Sequence, residues 1–145
     1  MSHFIGNGIL EFLPDGRQAR VITYLIFVDS RGVSYSADPG QIVDGASIPR
    51  FFWRLMGSPF VGRHRRAALV HDGEYIKRKY TRLEVDRMFL EALKVDGVGL
   101  IKRQTMYRIV RAFGKSYWDS DEPKRPSLST HSECYQRCSV CYEAP

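Results

Sequence analysis

Asp44-Gly45-Ala46-Ser47-Ile48-Pro49-Arg50 marks the place where this chain changes character. Before it, apolar residues cluster and alternate as in strands; after it they recur at helical spacing. Ser47 suits a helix N-cap, and Pro49 falls in a first turn, where a missing N–H does no harm. Working back, Ile42-Val43 and Val33 to Ser36 read as short strands, and Ser30-Arg31-Gly32 is a turn. Residues 18–28, rich in Val, Ile, Thr, Tyr and Phe, predict a longer strand, and residues 8–13 another. Pro14-Asp15-Gly16 between them is a turn with a mechanism, since Pro presets one dihedral and Gly accepts a positive φ. The spacing predicts an antiparallel hairpin inside a small sheet or meander.

Working forward, Phe51, Phe52, Trp53, Leu55 and Met56 predict a short aromatic helix that ends at Gly57 and is broken by Ser58-Pro59. A longer helix is expected from about Gly62 to Lys79. Thr81-Arg82-Leu83-Glu84 fits a capping box, and the helix it opens carries Val85, Met88, Phe89, Ala92 and Leu93 at helical spacing. Gly97 and Gly99 close it. A last helix, about Leu100 to Tyr117, puts Met106, Ile109, Val110 and Phe113 on one face. The expected fold class is α+β: a small antiparallel sheet followed by three to four packed helices, with an extended metal-binding C-terminal arm.

The 145 residues have the size of one domain, and 43% hydrophobic content is enough for a core without disulfide staples. Residues 1–118 are expected to form that domain. Residues 119–145 are expected to be a polar linker, with Pro123 and Pro126, leading to a Cys-rich arm. No apolar run approaches the ~20 residues of a membrane helix, and the start lacks the pattern of a signal peptide, so folding in a cytoplasm is expected. A net charge of +6 permits contact with nucleic acid without requiring it. Arg63, Arg65 and Arg66, then Lys77, Arg78 and Lys79, then Arg82 are clustered; a solvated helix face accounts for them first.

Val70-His71-Asp72 is a polar pair inside an apolar helix that also carries Ala67, Ala68 and Leu69. Polar groups in such a place must bond to one another or serve chemistry, because leaving one buried and unpaired costs about 1–3 kcal/mol. Three readings follow. In the first, Asp44 accepts backbone N–H groups, His71 donates to Asp86 on a neighbouring helix, and Arg50, Arg82 or Arg111 neutralises the carboxylates. In the second, Asp44, His71 and Asp86 hold a divalent cation that activates water, with Asp72 orienting or acting as base. In the third, Ser47 is a nucleophile served by His71 and Asp86, although Asp-Gly-x-Ser lacks the strand–turn–helix signature of an exposed serine. The first accounts for the residues with fewest assumptions.

The same residues carry a family resemblance. The order Asp44-Gly-x-Ser47-x-Pro49, an aromatic helix, Ala-x-x-x-His71-Asp72, Asp86-x-x-Phe89 with Ala92-Leu93, Met106-Tyr107 and Val110-Arg111-x-Phe113-Gly114 resembles the DUF1353 family over about residues 8–118. That family occurs in tailed phages and prophages, and the resemblance supplies no catalytic mechanism. It implies a phage or prophage origin, and with the extended arm this predicts a virion accessory protein at the tail tip or baseplate, bound to other phage structural proteins. A metal-dependent hydrolase acting on cell wall or peptide is the alternative from the Asp44, His71 and Asp86 cluster. An early protein that blocks a host factor through the basic patches is a third.

The arm ends in His131-Ser-Glu-Cys134-Tyr-Gln-Arg-Cys138-Ser-Val-Cys141, which holds every cysteine of the chain. Close thiols in a cytoplasmic protein suit ligands better than disulfides. His131, Cys134, Cys138 and Cys141 make a complete tetrahedral set for zinc, and the three thiolates also suit an iron–sulfur cluster. Free thiols or a disulfide are the alternatives. Metal binding would order an arm too polar to build its own core.

Overall fold

The protein is described by a computed structural model over residues 1–15, 18–43 and 62–119. Among the described residues six strands, β1 (His3–Ile5), β2 (Leu10–Phe12), β3 (Ala19–Val21), β4 (Leu25–Val28), β5 (Ser34–Ala37) and β6 (Ile42–Val43), precede three helices, α1 (Arg65–Lys77), α2 (Arg82–Val95) and α3 (Leu100–Asp119). The α+β class is as expected. The aromatic helix at 51–56, Asp44, Ser47, Arg50 and the whole Cys/His arm lie outside the described residues.

The strands form two antiparallel three-stranded sheets, β1-β4-β5 and β2-β3-β6. The long strand predicted over 18–28 is instead split between the two sheets, and β1 was not foreseen. The register shows what joins them. Ile5 faces Ile26 and Leu10 faces Val21, so five residues forward on one side match five back on the other. Leu25 faces Ala37 and Ala19 faces Val43, again in one continuous register. The two sheets are therefore two halves of the predicted meander, interrupted in the middle. At the interruption Gly6 has φ +88°, and a Cβ there would stand 2.3 Å from the Tyr24 carbonyl oxygen. Nearby, Ile9 N–H donates to the Thr23 hydroxyl at 2.9 Å, and Arg65 reaches back to the Asn7 carbonyl at 3.2 Å.

Strand alternation sets which side chains face the helices. Leu25, Phe27, Tyr35 and Ala37 are buried, while Ile26 and Ser36 between them are partly exposed. The turn from β4 to β5 is tied by Asp29, whose carboxylate accepts the backbone N–H groups of Arg31 and Val33, each at 2.9 Å. Helix α1 packs against β4, β5 and β6 on one side and α2 on the other, and α2 packs against α3. Buried on both sides, α1 is shielded along its whole middle, Ala67 to Tyr75. It ends at Arg78, which takes φ 53° and donates its N–H to the Glu74 carbonyl. The predicted capping box opens α2, with both Thr81 and Glu84 bonds present. Among the described residues no helix is long and apolar enough to cross a membrane.

Candidate functional site

His71 projects from the middle of α1 into the junction of the three helices, where it is 1% exposed. One turn later on the same face stands Tyr75, and across from both is Asp86 of α2, wholly buried. His71 Nε2 lies 3.0 Å from Asp86 Oδ1, and the Tyr75 hydroxyl donates to that same oxygen at 2.6 Å. The second oxygen, Oδ2, accepts from Arg111 of α3 at 2.6 Å, and Arg82 Nε lies 3.6 Å from it. Arg82 also donates to the Val110 carbonyl at 3.2 Å, so one guanidinium joins α2 to the α3 backbone. Phe89 and Tyr75 flank the imidazole, with ring centroids 4.8 and 4.2 Å away.

The electrostatics reinforce the geometry. Burial disfavours the His71 cation, but hydrogen bonds and charge from Asp72 and Asp86 outweigh it and raise its pKa above the ordinary 6.5. Burial would likewise raise the pKa of Asp86, yet His71, Tyr75 and Arg111 together hold it below the ordinary 3.8. Burial and then Asp86 push the Tyr75 phenol far upward, so it stays a donor. With His71 protonated the junction holds a buried imidazolium–carboxylate pair, with a phenol and a guanidinium completing the carboxylate's bonds. Asp72 occupies the rim of the junction, with its carboxylate 3.8 Å from His71 Nδ1.

A second polar cluster pins α1 to β5. Glu74, 1% exposed, accepts the Ser36 N–H at 2.8 Å and the Lys77 ammonium at 2.8 Å. Lys77 in turn donates to the Ser36 carbonyl at 2.8 Å and approaches Asp38 at 3.2 Å. Between these bonds Gly73 lets the helix touch the strand, since a Cβ there would meet the Ser36 carbonyl oxygen at 2.8 Å.

Of the predicted site residues, His71 and Asp86 meet as all three readings required, with Asp72 beside them and Arg82 and Arg111 as counter-charges. Asp44 and Ser47 lie outside the described residues, as do His131, Cys134, Cys138 and Cys141. Among the described residues no group of three or more His, Cys, Asp or Glu side chains is placed to hold a metal ion. The sequence reading missed Tyr75 and the Glu74–Lys77 pair. The four-residue step from His71 to Tyr75 was the available signal for the first. The second needed β5 against α1, which no local pattern reveals.

The sequence model of a protein of unknown function, DUF1353, matches residues 19–110, which include every described member of the His71 network except Arg111. The chain belongs to the DUF1353 family. Two relatives come from Sinorhizobium fredii, the uncharacterized proteins y4jT and y4iH. The first is 33% identical over 63% of this chain and 27% of its own length, and the second 32% identical over 77% of this chain and 47% of its own. The DUF1353 chain thus spans about a quarter to about half the length of these relatives. No solved structure matches it with significance.

Proposed function

We propose that this chain is an accessory protein of a tailed-phage particle, made in the cytoplasm of a bacterial host and docked at the tail tip or baseplate onto neighbouring structural subunits. One observation carries the reading. The Asp86 carboxylate is wholly buried and both its oxygens are taken, by His71 and Tyr75 on one side and Arg111 on the other. Among the described residues, the side chains best suited to catalysis are spent on joining helices, which favours a role for the surface. The phage setting comes from the family resemblance. In the same reading the arm residues His131, Cys134, Cys138 and Cys141 would clasp zinc or an iron–sulfur cluster and order a docking tail.

The competing reading, a metal-dependent hydrolase, asks Asp86 to ligate a cation while Arg111 sits 2.6 Å from it. A guanidinium at that distance already supplies the positive charge that a metal would bring, and Tyr75 fills the adjoining space. Inhibition of a host factor remains a surface function, and the basic residues would serve it.

Mass spectrometry of purified particles tests the proposal. The chain should appear at a fixed ratio to known tail subunits and survive stringent washing. Its absence from particles would overturn the reading. Elemental analysis with an absorbance spectrum of the anaerobically purified full chain tests the arm: a stoichiometric metal is expected, and a metal-free protein would remove the clasp.

A further inference from the structure

The charge of this chain is segregated. Residues 62–119 carry fourteen Lys or Arg against seven Asp or Glu, whereas residues 1–43 carry three against four. The helical segment therefore holds the whole excess, and its internal bonding sharpens the imbalance at the surface. Along the antiparallel pair α2–α3 each acidic group already has a bond within the fold, with Glu84 and Asp119 lying at the surface. Asp86 closes the buried network, Glu84 caps α2, Glu91 accepts the Ser30 N–H at 2.8 Å, and Asp96 takes the Arg66 guanidinium at 2.6 Å. Asp119 is exposed but bonded to Lys115.

Of the cations on the same two helices, Arg82 and Arg111 join the buried network and Arg103 donates to the Val98 carbonyl, and the others stand at the surface. Arg87, Lys94, Lys102, Arg108 and Lys115 are all exposed. The first four have no ion-pair partner among the described residues. Arg87 and Lys94 are seven residues apart on α2, as are Arg108 and Lys115 on α3, so each pair lies on one helical stripe, about 10.5 Å apart along its axis. Arg82 of α2 donates to the Val110 carbonyl and Arg111 of α3 donates to Asp86, and these bonds tie the two helices together.

We infer that the outer surface of the α2–α3 hairpin is a binding surface for duplex nucleic acid, contacted through backbone phosphates without sequence readout. Cations spread over the length of two rigid helices match an extended array of phosphates. A single anionic ligand would need them gathered in one pocket. Phe113, the exposed aromatic of α3, lies about 140° around the helix from Arg108 and so off the cation stripe, and a duplex therefore fits better than a single strand. The inference is independent of the particle reading, since it concerns this surface whether or not the chain is carried in a virion.

Fluorescence anisotropy with the full chain and a labelled mixed-sequence 30-bp DNA duplex tests it. With about five phosphate contacts, affinity should fall roughly 500-fold between 50 and 200 mM salt. The double variant Lys94→Gln/Arg108→Gln, one cation from each stripe, should bind about tenfold or more weakly at 50 mM salt and show a shallower salt slope, by about two. A control with the same change in net charge on the sheet side, Ile9→Glu/Ser34→Glu, should bind within about twofold of the wild type. Circular dichroism establishes that each variant is folded. Absence of duplex binding at 50 mM salt would overturn the inference, as would equal loss in both double variants. Binding to phosphatidylserine vesicles without duplex binding would overturn it in favour of a membrane surface.

Discussion

Asp86 of α2 has two oxygens and three donors within hydrogen-bond reach, His71 and Tyr75 from α1 and Arg111 from α3. Removing its charge strands a buried imidazolium and a guanidinium. Asp86→Asn should therefore cost about 3–5 kcal/mol, read from the urea midpoint, because an uncompensated buried charge is worse than no pair at all. A loss below about 1 kcal/mol would show that the pair is not formed. The pH dependence has a definite sign. The His71 pKa is raised on folding, so its stabilising contribution is complete below the ordinary 6.5 and disappears as the pH climbs through the raised folded value. Asp86 is shifted down, so its contribution is present above 3.8 and disappears as the pH falls through the lower folded value. Thermal unfolding across pH 3 to 9 should thus show a plateau between two declines, and His71→Gln should abolish the alkaline decline attributable to this group while keeping the acidic one. The His71–Asp86 contact was legible in the sequence because both residues interrupt apolar helical faces. Tyr75 was not, because a tyrosine at helical spacing reads equally well as core.

At the scale of elements, the contact of α1 with β5 depends on a missing side chain. A Cβ at Gly73 would press on the Ser36 carbonyl oxygen at 2.8 Å and the Ala37 Cα at 3.0 Å, both backbone atoms that cannot swing aside. Gly73→Ala gains about 1 kcal/mol of helix propensity and loses more to the clash, for a net destabilisation of about 1–2 kcal/mol in chemical denaturation. A stabilised variant would mean that the helix stands further from the strand than described. The outermost strand offers a second check. Residues 3–12 form one edge of both sheets, and Phe4 fills the space between Phe27, at a ring distance of 4.9 Å, and the Arg66 guanidinium, 4.3 Å above its ring. Phe4→Ala should cost about 3 kcal/mol or somewhat less, since Phe4 is only partly buried, and should loosen Arg66 from Asp96. The order and class of these elements were readable from apolar spacing and turn residues. The break at Ile22–Tyr24 was not, because every residue there favours a strand; the bend comes from glycines on the partner strand.

At the scale of the molecule, layers and charge divide together. The meander covers one side of α1, the α2–α3 hairpin covers the other, and the helical half joins a buried Asp86 network to surface cations at Arg87, Lys94, Arg108 and Lys115. High salt should screen the outward cations and leave the buried Asp86 network nearly untouched, so unfolding midpoints should change little between 50 and 500 mM sodium chloride even as duplex binding collapses. A large salt-induced loss of stability would contradict the burial of that network. The amino-acid sequence by itself determined the α+β class, the helix boundaries to within a few residues, the capping box and the family, because these rest on local periodicity, turn chemistry and residue order. Only the tertiary structure decided that one meander becomes two sheets, that Tyr75 and Arg111 close around Asp86, and that Glu74 reaches β5. Each of those depends on groups far apart in the chain arriving at the same few ångströms, and no local pattern encodes such a distance.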